Sequence, residues 1–179
     1  MRAVGHLLPA VVALALMPGG VRAQTSEFYV QIEGTKQGQF ANESARNNHA
    51  PRVVGLNFDY SVKVPRDAAT GLPSGKRQHG PVVLTKEWGA ASPQLFQALV
   101  TNEVLRTVLF EFYHINQNGE EELATTVKLT NAIVVEIHQH SPTVAKVGQL
   151  EDVSFTFGGI EIQNQQGKTM AADSWTTLR

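Results

Sequence analysis

The chain has 179 residues, 42% of them hydrophobic and 17% charged, which excludes a disordered polypeptide and leaves room for one domain with a substantial core. A formal net charge of −1 offers no basic face for nucleic acid. Cysteine is absent, so disulfides, thiolate metal sites and thiol catalysis are excluded together.

Residues 1–23 read as a secretory leader. Arg2 gives a short positive start, an apolar run follows to Met17, and Val21 and Ala23 place small residues at −3 and −1 of a cleavage site before Gln24. The run is too short for a membrane span. Translation starting at Met17 is the alternative. Cleavage removes Arg2 and Arg22 and leaves 156 residues with 13 basic against 16 acidic side chains. No membrane insertion is expected after cleavage, and residues 24–179 are expected to form a single domain.

Period-2 alternation then dominates. Phe28, Val30 and Ile32 oppose Tyr29, Gln31 and Glu33. Val54, Leu56, Phe58, Tyr60 and Val62 form the next apolar set, followed by Val82 and Leu84, then by Val108, Phe110 and Phe112. Leu123, Val127 and Leu129 precede Thr130-Asn131, which reads as a turn before Ile133, Val135 and Ile137. Val153, Phe155, Phe157, Ile160 and Ile162 close the series. Seven or eight strands with one apolar face predict a mainly β fold: a compact antiparallel barrel or two-sheet sandwich. Asn116 to Gly119 reads as a hairpin turn. One segment departs from the pattern. In "SPQLFQALV", Ser92 is the expected N-cap and Pro93 the first helical residue, and Leu95, Phe96, Leu99 and Val100 form a stripe for one short flanking helix.

Residues 65–81, "PRDAATGLPSGKRQHGP", form a long loop punctuated by Pro and Gly. Gly71 to Arg77 superficially resembles a phosphate loop, but the glycine spacing is one residue short and Arg77 stands where Ser or Thr must hold magnesium. A strand rather than a helix follows, so no phosphate site forms.

Glu136, His138 and His140 share one strand face by their i, i+2, i+4 spacing. Two imidazoles and a carboxylate suit zinc, and with it a hydrolase. A polar face opposite Ile133, Val135 and Ile137 satisfies the same pattern without metal, and ligands about 7 Å apart along a strand are poorly spaced for one ion. The set is therefore read as a polar lumen or interface face, with no metal or cofactor expected. Glu120-Glu121-Glu122 reads as a solvated hairpin edge, and no serine lies in a nucleophile motif. No catalytic residues are assigned.

Several segments in order resemble one family: "FYVQIEG", "ES" at Glu43-Ser44, "TKEWGAASPQLFQAL", "LFEFY" followed by "NGEEE", "VKLTNAIV", "LEDVSFTFGGIEI" and a closing "DSW". Together they are similar to Hcp, the tube protein of the bacterial type VI secretion system, over almost the whole mature chain. The resemblance implies a non-enzymatic β-barrel with a flanking helix. It further implies six copies in a ring, rings stacked into a tube, and small effector proteins carried in the hole alongside other machine components. It also assigns residues 65–81 to an extended loop that meets neighbouring subunits. On that reading Arg66, Asp67, Lys76, Arg77 and His79 set register across the ring contact, while the prolines limit the conformations lost on docking. A merely mobile loop is the bland alternative. The leader is the misfit, since a sheath-driven tube assembles in the cytoplasm. An exported β-barrel binding module, outside any conventional tube, is the second reading.

Overall fold

The computed structural model describes residues 28–141 and 148–175. The leader reading, with its Gln24 and Met17 alternatives, lies outside the described residues. The strands are β1 (Phe28–Gly34), β2 (Gly38–Gln39), β3 (Val53–Gly55), β4 (Asn57–Asp59), β5 (Val62–Lys63) and β6 (Gln78–His79). Then follow β7 (Val82–Glu87), helix α1 (Ser92–Val100), β8 (Leu105–Ile115), β9 (Glu121–His140), β10 (Leu150–Thr156), β11 (Gly159–Asn164) and β12 (Thr169–Ser174).

Ten of these strands make two antiparallel sheets that share members at their corners, while β5 and β6 pair as a separate two-stranded ribbon. One sheet runs β2-β1-β8-β9-β11-β12, with β3 on the outer side of β1. The other runs β9-β10-β7-β4. β9 is 20 residues long and passes from the first sheet to the second. Residues 53–59 do the same on the opposite side, pairing first with β1 and then with β7. Of the barrel or sandwich expected, the described residues form the mainly β, antiparallel sandwich with one α-helix, and the sheets do not close into a barrel.

The predicted turn at Thr130-Asn131 is instead a bend inside β9. Asn131 adopts φ +48, a left-handed conformation that Asn tolerates. The Thr130 and Asn131 carbonyls both accept the Gly158 amide (3.0 and 3.1 Å), so the bend is hydrogen-bonded while the strand continues. A second irregularity follows. Phe155 pairs with Val134 and Ser154 with Glu136, leaving Val135 as the extra residue of a bulge. The bulge reverses the alternation: Ala132 and Val134 are buried before it, and Ile137 packs against the core after it. Val135, expected inside, is exposed.

Residues 53–59 also depart from expectation. Val53 and Gly55 are buried while Val54 is half-buried, and Val62 stands in solvent. Partner-switching at Leu56 breaks the single long strand that alternation suggested.

The core is a slab of aliphatics crossed by aromatics. Phe28 packs on Phe112 at 4.9 Å between centroids, Phe58 sits edge-on to Phe110 at 5.1 Å, and Phe110 is fully buried. Tyr29, on the face expected to be wetter, is buried because His49 stacks on it at 3.9 Å.

Helix α1 buries Leu95 and Ala98. Two of the four stripe residues, Phe96 and Val100, are instead about half exposed at 55% and 54%, since the helix covers the sheet with a narrower face than the stripe suggested. Its N-cap is Ala91 rather than Ser92. Glu43 Oε1 accepts the Ala91 amide at 2.8 Å, and Ser92 Oγ accepts the Gly89 amide at 3.0 Å, so the helix start is satisfied from outside and from its own first turn. Gly89 is needed here, because a β-carbon would collide with the Glu43 carboxylate.

Beneath that helix start lies a buried ionic knot. Lys86, fully buried, donates to Glu151 Oε1 (3.0 Å), Ser92 Oγ (3.0 Å) and the Glu87 carbonyl (2.6 Å), with Glu43 Oε1 at 3.1 Å. Glu151 also accepts from Ser92 Oγ and from Gln139. Every donor of the ammonium has a partner, the condition for a buried charge to persist.

Candidate functional site

The long loop is built rather than loose. β5 and β6 pair at its base, with Val62 opposite His79, and Arg66 pairs with Pro73 further out. Asp67 Oδ1 accepts the Ala69 amide, the Thr70 amide and the Thr70 hydroxyl at 3.1, 2.8 and 2.8 Å. These bonds, the Thr70 amide first, hold its carboxyl below the usual aspartate range. The chain reverses at Gly71, whose φ of +70 suits glycine. Arg66 donates to the Gly71 carbonyl at 2.9 Å, and Ser74 N to the Pro65 carbonyl at 2.9 Å.

The result is a hairpin arm with an apolar surface. Val62, Val64 and Leu72 are exposed at 52%, 43% and 65%, and Lys76 is exposed beside them.

The five loop residues singled out from sequence divide into two groups. Arg66 and Asp67 fold the arm's outer part, and Lys76 is presented to solvent. Arg77 and His79 act at the base, where both reach Asp173 on β12. Arg77 grips that carboxylate with Nε and Nη2 and donates to the Ser174 carbonyl at 2.9 Å. His79 Nε2 lies 3.1 Å from Asp173 Oδ2, and the Tyr60 hydroxyl lies 2.6 Å from Nδ1. The ring rests edge-on to Phe157 and Trp175. The Arg77 fork, with smaller help from Ser174 and His79, holds Asp173 below the usual aspartate range. Burial, followed by the Asp173 charge, raises the Tyr60 phenol. The closing "DSW" therefore clamps the arm's root, a role that sequence reasoning did not assign to Asp173.

The polar face of β9 is arranged differently from the expected trio. His138 and His140 stack at 5.2 Å between centroids. The carboxylate that meets them is Asp152 of β10, directly across from His138, with its Oδ2 3.9 Å from each Nδ1. Glu136 is exposed two pairs along, opposite Ser154. Glu121 of the acidic run turns inward to bond the buried His49 ring at 2.9 Å and Arg46 at 3.2 Å.

Among the described residues, no helix is long and apolar enough to cross a membrane. Comparisons with known proteins give this sandwich and its clamped arm a family. The family model described as "Type VI secretion system effector, Hcp" matches residues 29–163. The "Major exported protein" of Pseudomonas aeruginosa is 35% identical over 161 residues, 82% of this chain and 94% of that protein. A structure titled "Crystal structure of Hcp protein" superposes with TM-score 0.80 at 26% identity, covering 83% of this chain and 99% of that one. The "Secreted protein Hcp3 from Pseudomonas aeruginosa" gives TM-score 0.70 at 30% identity over 83% and 99% of the two chains. The chain belongs to the Hcp family.

Proposed function

We propose that this protein is an exported structural subunit that assembles into six-membered rings, which stack into a tube and carry effector proteins in the lumen. Residues 24–179 act as its single domain, and the 65–81 arm makes the contact between subunits of adjacent rings. The observation that carries this reading, beside family membership, is the arm's construction. A loop that is internally bonded, clamped at its root and apolar at its surface is pre-organised for docking, because little conformational entropy remains to be lost. Arg66 and Lys76 set register with the neighbouring ring. The exposed helix face of Phe96 and Val100 extends the apolar surface available within a ring. The polar strand face of Glu136, His138 and His140 is left to the lumen or a subunit edge.

The test is the mass of the processed chain in solution by light scattering. A six-chain particle supports the reading, and reversing charge at Arg66 and Lys76 together should weaken stacking while the sandwich stays folded. A monomer that persists at high concentration would instead indicate a binding module exported through the general route.

A further inference from the structure

We infer that His138, His140 and Asp152 form a binding site for a divalent transition-metal ion of the zinc class. The inference goes beyond ring assembly and needs only the isolated chain. The pairing of β9 with β10 removes the objection that ligands two residues apart on one strand are too far separated. It sets Asp152 opposite His138, while the two rings lean together until they stack. All three donor atoms lie within 4.8 Å of one another. Zinc bonds of about 2.0–2.2 Å place donors about 3.4 Å apart in a tetrahedral shell. From the present 3.9 Å between Asp152 Oδ2 and each Nδ1, those pairs have about half an ångström to close, and the widest donor pair, within 4.8 Å, has at most about 1.4 Å, which rotation of the exposed His138 ring about its side-chain torsions can supply.

Two further features fit a ligand set. Thr85 Oγ1 donates to Asp152 Oδ1 at 2.5 Å, which fixes the carboxylate and leaves Oδ2 as the oxygen turned toward the imidazoles. His140 Nδ1 is buried and has no hydrogen-bond partner, a cost that a coordinated cation would remove. Two nitrogens and one oxygen select zinc, nickel or copper over magnesium and calcium, which favour all-oxygen shells. Three protein ligands leave the remaining positions to water or to a donor from outside the chain. Because protons compete for imidazole, binding weakens as pH falls.

The experiment is isothermal titration of the untagged, processed chain with Zn²⁺ and Ni²⁺, with Mg²⁺ as control and Co²⁺ absorption to report nitrogen ligation. One equivalent of Zn²⁺ should bind, with no Mg²⁺ competition. His138→Ala and Asp152→Asn should each weaken binding at least tenfold, Thr85→Val should weaken it about tenfold, and Glu136→Gln should leave it unchanged. His138 is exposed, so its variant folds. Absence of saturable binding by these ions, wild-type affinity in Asp152→Asn, or loss of binding in Glu136→Gln would each overturn the assignment.

Discussion

Lys86 Nζ sits 3.0 Å from Glu151 Oε1, and neither side chain reaches solvent. The two are direct cross-strand partners in the β7–β10 pair, and through Glu43 and Ser92 the contact fastens the helix start and the 40s loop to the same point. Replacing Lys86 with Ala strands two carboxylates, and the loss should be about 3–5 kcal/mol in urea unfolding. The Lys86→Met/Glu151→Leu double variant should recover part of that loss, since Glu43 still lacks its ammonium. A double-mutant cycle with no coupling would show that the knot is a bystander.

The arm's root should loosen in acid. Asp173 is held low, chiefly by Arg77, so its contribution is complete above the ordinary aspartate value near pH 4 and disappears as pH falls through the depressed one. Protection factors at residues 60–81, taken relative to the intrinsic exchange rate at each pH, should therefore fall below about pH 4. Asp173→Asn should give faster exchange at neutral pH, with little change in β8 or β10. Equal protection in variant and parent would remove Asp173 as the clamp.

Glu103 holds the β1–β2 turn against the end of the helix. Its carboxylate accepts the Lys36 and Gln37 amides at 2.6 and 2.9 Å and the Gln37 side chain at 2.9 Å. Burial raises its carboxyl, but these bonds outweigh that and bring it below the usual glutamate range. Glu103→Ala should cost about 1–3 kcal/mol by leaving amide donors unmatched, read as a lower midpoint in chemical denaturation. The parent should lose this increment as pH falls below about 4.3.

Much of this was legible in the alternation itself. Val82, Leu84 and Lys86 follow one inward phase, as do Glu151, Val153 and Phe155, so the inward placement of Lys86 and Glu151 was written in the period. The bulge at Val135 was not, because a single extra residue reverses the phase without altering composition. Nor was Asp152, which joins His138 only through strand pairing 14 residues apart in sequence. Asp173 meets Arg77 across 96 residues, a separation at which no local pattern reports. The helix was recognisable from "SPQLFQALV", yet its capping depends on Glu43, far upstream.

The claim on which the account turns is that the arm is a surface for another copy of the chain. Because the sequence has no cysteine, a single one placed at Leu72 can carry a photo-cross-linker without competing sites. Irradiation of the assembled protein should give chain dimers, with the cross-link mapped from position 72 to a second subunit. Cross-links confined to the same chain, with the protein remaining monomeric, would contradict it.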